Sequence, residues 1–244
     1  MTSLAIVTIT RNDHEGLKQT LASAGVLREQ FGVKHIVVDG SDPGIVEQNR
    51  NVAHGSGITY VVQTGRGISE AFNQGIALVD TEWIWCVNGG DSVHSKLDAA
   101  FLMKCLEHSV AEGIIFDVDC GTHRSSRPPV QLMWPPLENW IVHSGTFLRT
   151  SVLRRFNGFK SNYKAAMDAE LWMRMLHAGV KFDMISYVVS YFAPGGYSSI
   201  GSNSAGEILR LAREFRWRIF KRWIGQMVYI ISSWNKFRKQ KKRR

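Results

Sequence analysis

The sequence is poor in cysteine and has no apolar run long enough to cross a lipid bilayer. Its three cysteines, Cys86, Cys105 and Cys120, are an odd number and lack the Cys-x-x-Cys spacing of a metal or thiol–disulfide site. No stretch approaches the ~20 apolar residues of a membrane-spanning helix. The first residues, MTSLAIVTITRND, lack the basic and apolar regions of a secretory signal peptide. We therefore expect a protein of the reduced cytoplasm whose cysteines pack as small core residues.

Acidic residues are scarce only towards the C-terminal end. The chain has 244 residues and a net charge of +9. Residues 205–244 contain 13 Lys+Arg and 2 Asp+Glu, which leaves 17 of the 30 basic and 19 of the 21 acidic groups in the other 204 residues. A body with a net charge of −2 argues against nucleic-acid binding by the folded part. The length fits one large domain, or one domain with an appendage.

Short apolar segments rich in β-branched residues alternate with helical segments in the first hundred residues. This alternation predicts a parallel α/β sheet, in which ligands bind at the carboxyl ends of the strands. The predicted strands are 4–10, 34–39, 58–62 and 83–87, with helices at 14–24 and 68–78. The candidate ligand-binding stretches are therefore residues 8–11, 39–42, 64–67 and 88–91.

The second half of the sequence is less regular. A helix of good propensity is predicted at 168–178, where it ends at Gly179. The other predicted segments are a helix at 97–107, a strand at 113–118, a Pro/Arg-rich excursion at 121–137 and a strand-like segment at 140–149.

One stretch, WIWCVNGGDSVH at residues 83–94, changes character abruptly. The apolar run of its predicted strand stops at Asn88-Gly89-Gly90-Asp91. An ordinary Gly-Gly turn with an exposed Asp would explain this sequence. A site that holds an ion or a charged ligand would explain it equally well, because glycines let the backbone approach a ligand closely.

Several stretches, taken in order, resemble glycosyltransferase family 2. They are SLAIVTITRN, IVVDGSDPG, GRGISEAFNQGIALVDTEWIWCVNGGDSVH, HSGTFLR, AAMDAELWMRMLHAG and PGGYSS. The resemblance implies an α/β GT-A fold with a mostly parallel central sheet flanked by helices. Residues 1–95 would form a Rossmann-like nucleotide-sugar-binding half and residues 96–203 an acceptor half. The similarity is greatest to bacterial transferases of cell-surface polysaccharide assembly, of the colanic-acid or O-antigen type.

The resemblance assigns Asn88-Gly89-Gly90-Asp91 to the family's Asp-x-Asp element. Asp91 would then be the protein ligand of Mg²⁺ or Mn²⁺, a hard cation that neutralises the diphosphate as the sugar leaves. Asn88 and Gly90 would lie beside the donor. Because only one Asp remains in this element, the metal assignment depends on Asp91 almost alone.

Six further residues are implied to bind the donor. Asp39 would accept a hydrogen bond from the base, although an Asx turn before Gly40 is the ordinary use of such an Asp. Asn73 would reach back towards the donor, unless it is a plain helix residue. The remaining four would line the nucleotide pocket or, at a helix N-terminus, meet phosphate or sugar hydroxyls: Thr8, Arg11, Arg66 and Gly67.

Inverting sugar transfer needs a general base for the acceptor hydroxyl. Asp168 occupies the family's catalytic position in MDAELWMR, although an Asp there also suits a helix N-terminus. Glu170, about 200° further round the helix, is the fallback. His143 would position the acceptor or the diphosphate, if it is not simply a structural histidine.

From residue 204 the pattern becomes a long amphipathic helix with aromatic and basic residues interleaved, closing on KFRKQKKRR. Such a helix fits the interface of an anionic membrane. Packing of its first half on the core is the second interpretation, and nucleic-acid binding a distant third.

The sequence thus predicts an inverting glycosyltransferase at the inner face of the cell membrane. Its donor would be a nucleotide sugar, UDP-linked by preference, and its acceptor a polyprenyl-diphosphate-linked glycan of bacterial surface polysaccharide. Two alternatives are a GT-A-like sugar nucleotidyltransferase and a non-catalytic basic protein that binds membranes or nucleic acid. The first is disfavoured because TITRNDHEG lacks the Gly-rich basic loop of that class.

Overall fold

The computed structural model describes residues 2–55, 57–121, 141–193, 206–211 and 213–215. Within these residues, eight strands form one sheet in the order β3-β2-β1-β4-β7-β6-β8-β5. The strands are β1 (Leu4–Thr10), β2 (Lys34–Asp39), β3 (Ile58–Val62), β4 (Trp83–Asn88), β5 (Ser92–Val93), β6 (Gly113–Asp119), β7 (Thr146–Arg149) and β8 (Phe182–Tyr191). The helices are α1 (His14–Ser23), α2 (Gly25–Phe31), α3 (Pro43–Val52), α4 (Ile68–Ala77), α5 (Ala99–His108), α6 (Thr150–Arg155) and α7 (Met167–His177).

The first four strands run parallel, as the alternation of strands and helices predicts. β1 lies between β2 and β4, and β3 pairs with the outer side of β2. β7 is antiparallel to both of its neighbours, β4 and β6. The carboxyl ends of β1 to β4 therefore meet at one edge of the sheet, where the sequence places its candidate ligand-binding stretches.

Several elements escaped sequence reasoning. The Gly- and Pro-containing stretch at residues 40–44 includes the start of α3. Pro43 lies in the first turn of this helix, where the amide hydrogen that proline lacks would have no partner within the helix. α2, α6, β5 and β8 were not predicted either. The segment at 140–149 contains a 3-10 turn, His143–Gly145, before the strand begins at Thr146. Except for Gly121, the Pro/Arg-rich excursion lies outside the described residues.

Buried apolar side chains cover both faces of the sheet. One cluster joins the sheet to α4 and α7, and the other joins it to α2 and α5. Trp85 stacks on Phe147 with ring centroids 4.6 Å apart. Cys86 is a buried core residue, and burial raises the pKa of its thiol to about 12, so the thiol stays protonated. All three cysteines are free thiols.

The beginning of the predicted tail packs on the folded body. Residues 206–211 and 213–215 are helical, and Leu211 and Phe215 are buried in the same cluster as α4 and α7. In these residues the structure shows the second of the two main interpretations, packing on the core. The rest of the predicted amphipathic helix lies outside the described residues. In the described part of the chain, no helix is both long enough and apolar enough to cross a membrane.

Candidate active site

A pocket of about 290 Å³ opens at the edge of the sheet where β1 and β4 end. Its walls come from segments distant in the sequence: the ends of the two strands, the start of α4, the 3-10 turn and the start of α7. Ten of the lining residues are polar or glycine: Thr10, Arg11, Asp13, Gln63, Gly67, Asn88, Gly89, His143, Lys164 and Asp168.

Asp91 is buried at this end of the sheet, with 2% of its surface exposed. Its Oδ1 accepts a hydrogen bond from the backbone amide of Ala193 at 2.9 Å. Its Oδ2 is buried and has no hydrogen-bond partner among the described residues. Burial raises the pKa of the Asp91 carboxyl, and the nearby charge of His143, the amide of Ala193 and the neighbouring Asn88 act in the opposite direction. An unpartnered buried carboxylate oxygen is what a site for a cation would provide.

Backbone geometry explains the second of the two glycines before Asp91. Gly90 has a φ of 98°, a conformation that glycine adopts without strain and other residues rarely do. Its amide donates to Oγ1 of Thr20 at 3.0 Å, and the same hydroxyl donates to the carbonyl of Asp91 at 2.6 Å. Thr20 on α1 therefore holds the turn through two hydrogen bonds. Asp91 is buried in this turn, whereas an ordinary surface turn would leave it exposed.

His143 and Asp168 form a second buried polar group in the pocket. Nδ1 of His143 lies 3.5 Å from Oδ2 of Asp168, and both residues are less than 10% exposed. The other carboxylate oxygen, Oδ1, accepts a hydrogen bond from the amide of Ala169 at 2.8 Å. Nε2 of His143 has no partner within the part of the chain that the structure describes. One imidazole nitrogen thus faces the carboxylate, and the other is available to a ligand.

The position of His143 is fixed from the core. The carbonyl of the next residue, Ser144, accepts hydrogen bonds from Nε1 of Trp85 at 2.9 Å and from Oγ of Ser190 at 2.7 Å. The ring of Phe72 on α4 contacts the His143 ring edge to face, with centroids 5.7 Å apart. The imidazole is therefore held between the sheet and α4.

Positive charge borders the pocket. Arg11 and Lys164 both line it, and both residues are exposed. Arg66 is also exposed and precedes Gly67, the residue before α4; Gly67 lines the pocket whereas Arg66 does not. These cations lie where an anionic ligand would enter, which favours its approach.

Asp39, which was expected to bind the donor, forms its hydrogen bonds within the protein. The Asp39 side chain is fully buried, and its oxygens accept hydrogen bonds from the amide of Ser41, Nδ2 of Asn49 and the hydroxyl of Tyr60, at 2.6–2.8 Å. The structure shows the Asx turn at Asp39, and contact of Asp39 with the base stays a prediction. Burial and the hydrogen bond to Asp39 raise the pKa of Tyr60.

Thr8 lies two residues inside β1 and does not reach the pocket. It is fully buried, and its hydroxyl lies 2.8 Å from Nε2 of His35. The strand ends at Thr10, which lines the pocket in its place. Burial lowers the pKa of His35 to about 3, so this imidazole is neutral and belongs to the core.

Asn73 and Glu170 also have structural roles. Asn73 exchanges two hydrogen bonds with the backbone of Phe159, at 2.7 and 2.9 Å, and so ties α4 to the loop after α6. Glu170 is fully buried between Nε of Arg174 at 2.8 Å and Nζ of Lys160 at 2.7 Å. Neither residue lines the pocket, so the structure does not support the fallback assignment of Glu170.

Sequence reasoning missed three polar residues of the pocket as site residues. Asp13 is the N-cap of α1 and accepts a hydrogen bond from the amide of Gly16. A Cβ built on Gly90 would nevertheless lie 3.4 Å from Oδ2 of Asp13, which places a second carboxylate beside the turn. Gln63 follows β3 at the predicted ligand edge and could have been found by that rule. Nothing local in the sequence distinguishes Lys164.

Comparison with known proteins identifies the family. The sequence model described as Glycosyl transferase family 2 matches residues 5–171. The chain belongs to glycosyltransferase family 2. A Mycobacterium tuberculosis protein named as an uncharacterized glycosyltransferase is 25% identical over 178 residues, which are 70% of this chain and 68% of that protein.

Solved structures show the same fold. S. aureus TarS in complex with UDP-GlcNAc matches with a TM-score of 0.64 and 14% identity, over 86% of this chain and 65% of that one. The mannosyltransferase PcManGT from Pyrobaculum calidifontis, in complex with GDP-Man and Mn²⁺, matches with a TM-score of 0.59 and 16% identity, over 80% and 58%. This chain thus spans less than two thirds of either structure. The predicted GT-A fold is confirmed.

The described residues can supply only part of a metal site. They contain no group of three or more His, Cys, Asp or Glu side chains arranged to hold a metal ion. The free Oδ2 of Asp91 fits a cation whose other ligands come from a bound diphosphate and water. The residues present are therefore compatible with a metal that arrives together with an anionic ligand.

We predict that Asp91→Asn stabilises the ligand-free protein at neutral pH. Because burial raises the carboxyl pKa, the folded state holds this proton more tightly than the unfolded state. The carboxylate therefore lowers the free energy of unfolding as the pH rises through the folded pKa, and its effect disappears at low pH. Thermal melts from pH 4 to 8 should show a higher Tm for the variant that converges with the wild type in acid.

The matched control is Asp80→Asn. Asp80 is exposed, and its pKa is lowered, chiefly by the hydrogen bond from Lys34, so this substitution should not stabilise the protein. A lower or unchanged Tm for Asp91→Asn at pH 7–8 would contradict the assignment of a destabilising buried charge.

Proposed function

We propose that this protein is an inverting glycosyltransferase that moves a sugar from a UDP-sugar to a hydroxyl group of a lipid-linked glycan. The observation that carries the proposal is the buried pair of His143 and Asp168 in a pocket that also contains Asn88 and borders the Asp91 turn. A family 2 enzyme must bind an anionic donor and deprotonate an acceptor, and the pocket has groups for both tasks.

Donor binding would use the cationic side of the pocket. Arg11 and Lys164 would pair with phosphate oxygens, and the backbone at Gly67, at the start of α4, would face the phosphate or the sugar hydroxyls. Oδ2 of Asp91 would be the protein ligand of Mn²⁺ or Mg²⁺. When bound, the cation would offset the charge that develops on the leaving diphosphate. Because Asp39 is occupied, the base would be read by other groups, of which Gln63 lines the pocket.

Asp168 would act as the general base. Its Oδ2 would take the proton of the acceptor hydroxyl, whose oxygen attacks the anomeric carbon of the sugar. The nucleoside diphosphate would leave from the opposite face, which inverts the configuration at that carbon. His143 would hold the carboxylate in place through the 3.5 Å contact from Nδ1, and Nε2 would face the ligand.

We predict that the donor stabilises the folded protein in a metal-dependent way. Nucleotide sugars with uridine, guanosine or thymidine bases would be compared by thermal shift, with and without Mn²⁺. A ligand that binds only the folded state raises Tm, by about 2.7 kcal/mol of stability at a hundred times its Kd. UDP-sugars with Mn²⁺ should give the largest shift, and Asp91→Asn should remove the Mn²⁺ dependence. No shift with any nucleotide sugar would contradict the proposed donor class.

We predict that Asp168→Asn lowers kcat by a factor of about 10²–10⁴, the usual contribution of a general base. The Asn side chain can still accept the hydrogen bond from Ala169, so donor affinity should change little. Asp98→Asn is the matched control, because Asp98 also starts a helix and accepts a hydrogen bond from Phe101, but it does not line the pocket. Full activity of Asp168→Asn would refute the assignment of the base.

The proposed acceptor and the proposed location at the membrane both rest on the sequence of the C-terminal tail. Residues 226–244 contain seven Lys+Arg and no Asp or Glu, whereas the body is slightly acidic. A basic segment next to an amphipathic helix binds anionic lipid surfaces, and a polyprenyl-diphosphate-linked acceptor of surface polysaccharide synthesis would lie at the inner face of the cell membrane. We place the enzyme there.

We predict that removal of residues 226–244 weakens binding to anionic vesicles more than tenfold. Each Lys or Arg near such a surface contributes about 1 kcal/mol. Co-sedimentation with phosphatidylglycerol vesicles should show the loss, and neutral phosphatidylcholine vesicles serve as the control. The truncated protein should keep its Tm, because Leu211 and Phe215, which pack on the core, precede the cut. Unchanged partitioning would count against the membrane role.

A further inference from the structure

The segment just before α7 forms part of the pocket wall. Lys164 and Ala165 line the pocket, and Asp168 follows three residues after Ala165. The helix begins at Met167, and its N-cap residue, Ala166, has no side chain that could accept a hydrogen bond from the first turn. The free amides at this helix start therefore need an acceptor from elsewhere in the chain.

Glu207, more than forty residues away, supplies an acceptor for the amide of the N-cap residue and for the two amides that precede it. Its Oε2 accepts hydrogen bonds from the consecutive amides of Lys164, Ala165 and Ala166 at 3.0, 2.9 and 2.9 Å. Its Oε1 accepts a second bond from the amide of Lys164, at 2.8 Å. Hydrogen bonds from backbone amides to a carboxylate are among the stronger ones in proteins, and a negative charge near a helix N-terminus is favourable.

The same segment is held by two further contacts. One turn along from Glu207, the Arg210 guanidinium lies 3.9 Å from the ring centroid of Tyr163, and its Nη2 donates to the carbonyl of Asn162 at 2.5 Å. From the other side, Oγ of Ser69 on α4 donates to the carbonyl of Tyr163 at 2.8 Å.

We propose that Glu207 is a positioning residue for catalysis, which sets the place of Asp168 in the pocket by fixing the amides that precede α7. The inference rests on the proposed role of Asp168 as the base. It assigns a function in the active site to a residue that lies outside the region matching the family and touches neither pocket nor ligand. A misplacement of about 1 Å can lower a rate by ~10², so loss of this anchor should act on kcat.

The test compares Glu207→Ala and Glu207→Gln with the wild type, at a temperature well below Tm. Glu207→Ala should lower kcat at least tenfold at saturating donor and acceptor, with less than a threefold change in the KM of the donor. Glu207→Gln, whose carbonyl oxygen can still accept from the same amides, should recover part of the loss. A purely structural residue would lower Tm and leave kcat of the folded enzyme unchanged. Glu107→Ala, at an exposed position of α5, is the control and should keep full kcat.

Amide hydrogen exchange provides a measurement that does not depend on activity. The amides of residues 164–166 should exchange at least tenfold faster in Glu207→Gln than in the wild type, while those of α5 should not change. If Glu207→Ala fails to fold, Glu207→Gln carries both measurements.

The outcomes separate this proposal from the proposed function. A kcat of Glu207→Ala and Glu207→Gln within twofold of the wild type, with Asp168→Asn inactive, would overturn the positioning role alone. Unchanged exchange at residues 164–166 would do the same. An active Asp168→Asn would instead refute the base assignment, and with it any positioning effect on that base.

Discussion

A buried carboxylate oxygen without a hydrogen-bond donor is costly, and the site of this protein depends on one. Oδ2 of Asp91 lies in the folded body with no partner among the described residues, although the rest of the same side chain is anchored to Ala193. Leaving such a group unpaired costs on the order of 1–3 kcal/mol, and more for a charge. The structure must offset this elsewhere, and a bound cation would turn the same oxygen into a source of affinity.

The offset comes from the apolar packing and hydrogen bonding around the site. Trp85 buries its ring in the core and uses its one polar atom to hold the carbonyl beside His143. Phe72 packs on the imidazole from α4. These contacts fix polar groups before any ligand arrives, which is the arrangement that stabilises charge in a transition state most effectively. Trp85 and Phe72 thus stabilise the fold and also hold His143 in position.

The parts of the fold and of the candidate site that could be predicted are those set by residues close together in the sequence, or by the resemblance to the family. The first three strands were predicted to the residue, because period and β-branched composition are local signals. The candidate ligand-binding edge of the sheet followed from the alternation of strands and helices, and so did Asn88, Gly90, Asp91 and Gly67 as candidate site residues. The resemblance placed Asp168 and His143, which the structure brings to 3.5 Å.

Sequence reasoning did not find the hydrogen-bond and ion-pair partners that lie far away in the chain. Asp39 is taken by Asn49 and Tyr60, Asn73 by the backbone of Phe159, and Glu170 by Lys160 and Arg174. The sequence around each of these residues gives no indication of the hydrogen-bond or ion-pair partner that it has in the structure. Lys164 and Glu207 were overlooked for the same reason, since only the folded chain brings Lys164 to the wall of the pocket and Glu207 to the amides beside it.

The place of β7 in the sheet has a consequence for how the protein is made. β7 pairs with β4 on one side and with β6 on the other, yet it follows both in the sequence. As the chain leaves the ribosome, β1 to β4 can associate early, whereas β6 has no neighbour to join until residues 146–149 emerge. The hydrogen bonds that hold the segment before α7 form later still, once Glu207 has emerged. Newly made chains therefore pass through a stage with an exposed sheet edge and an incomplete pocket, when they are most open to aggregation and to chaperones.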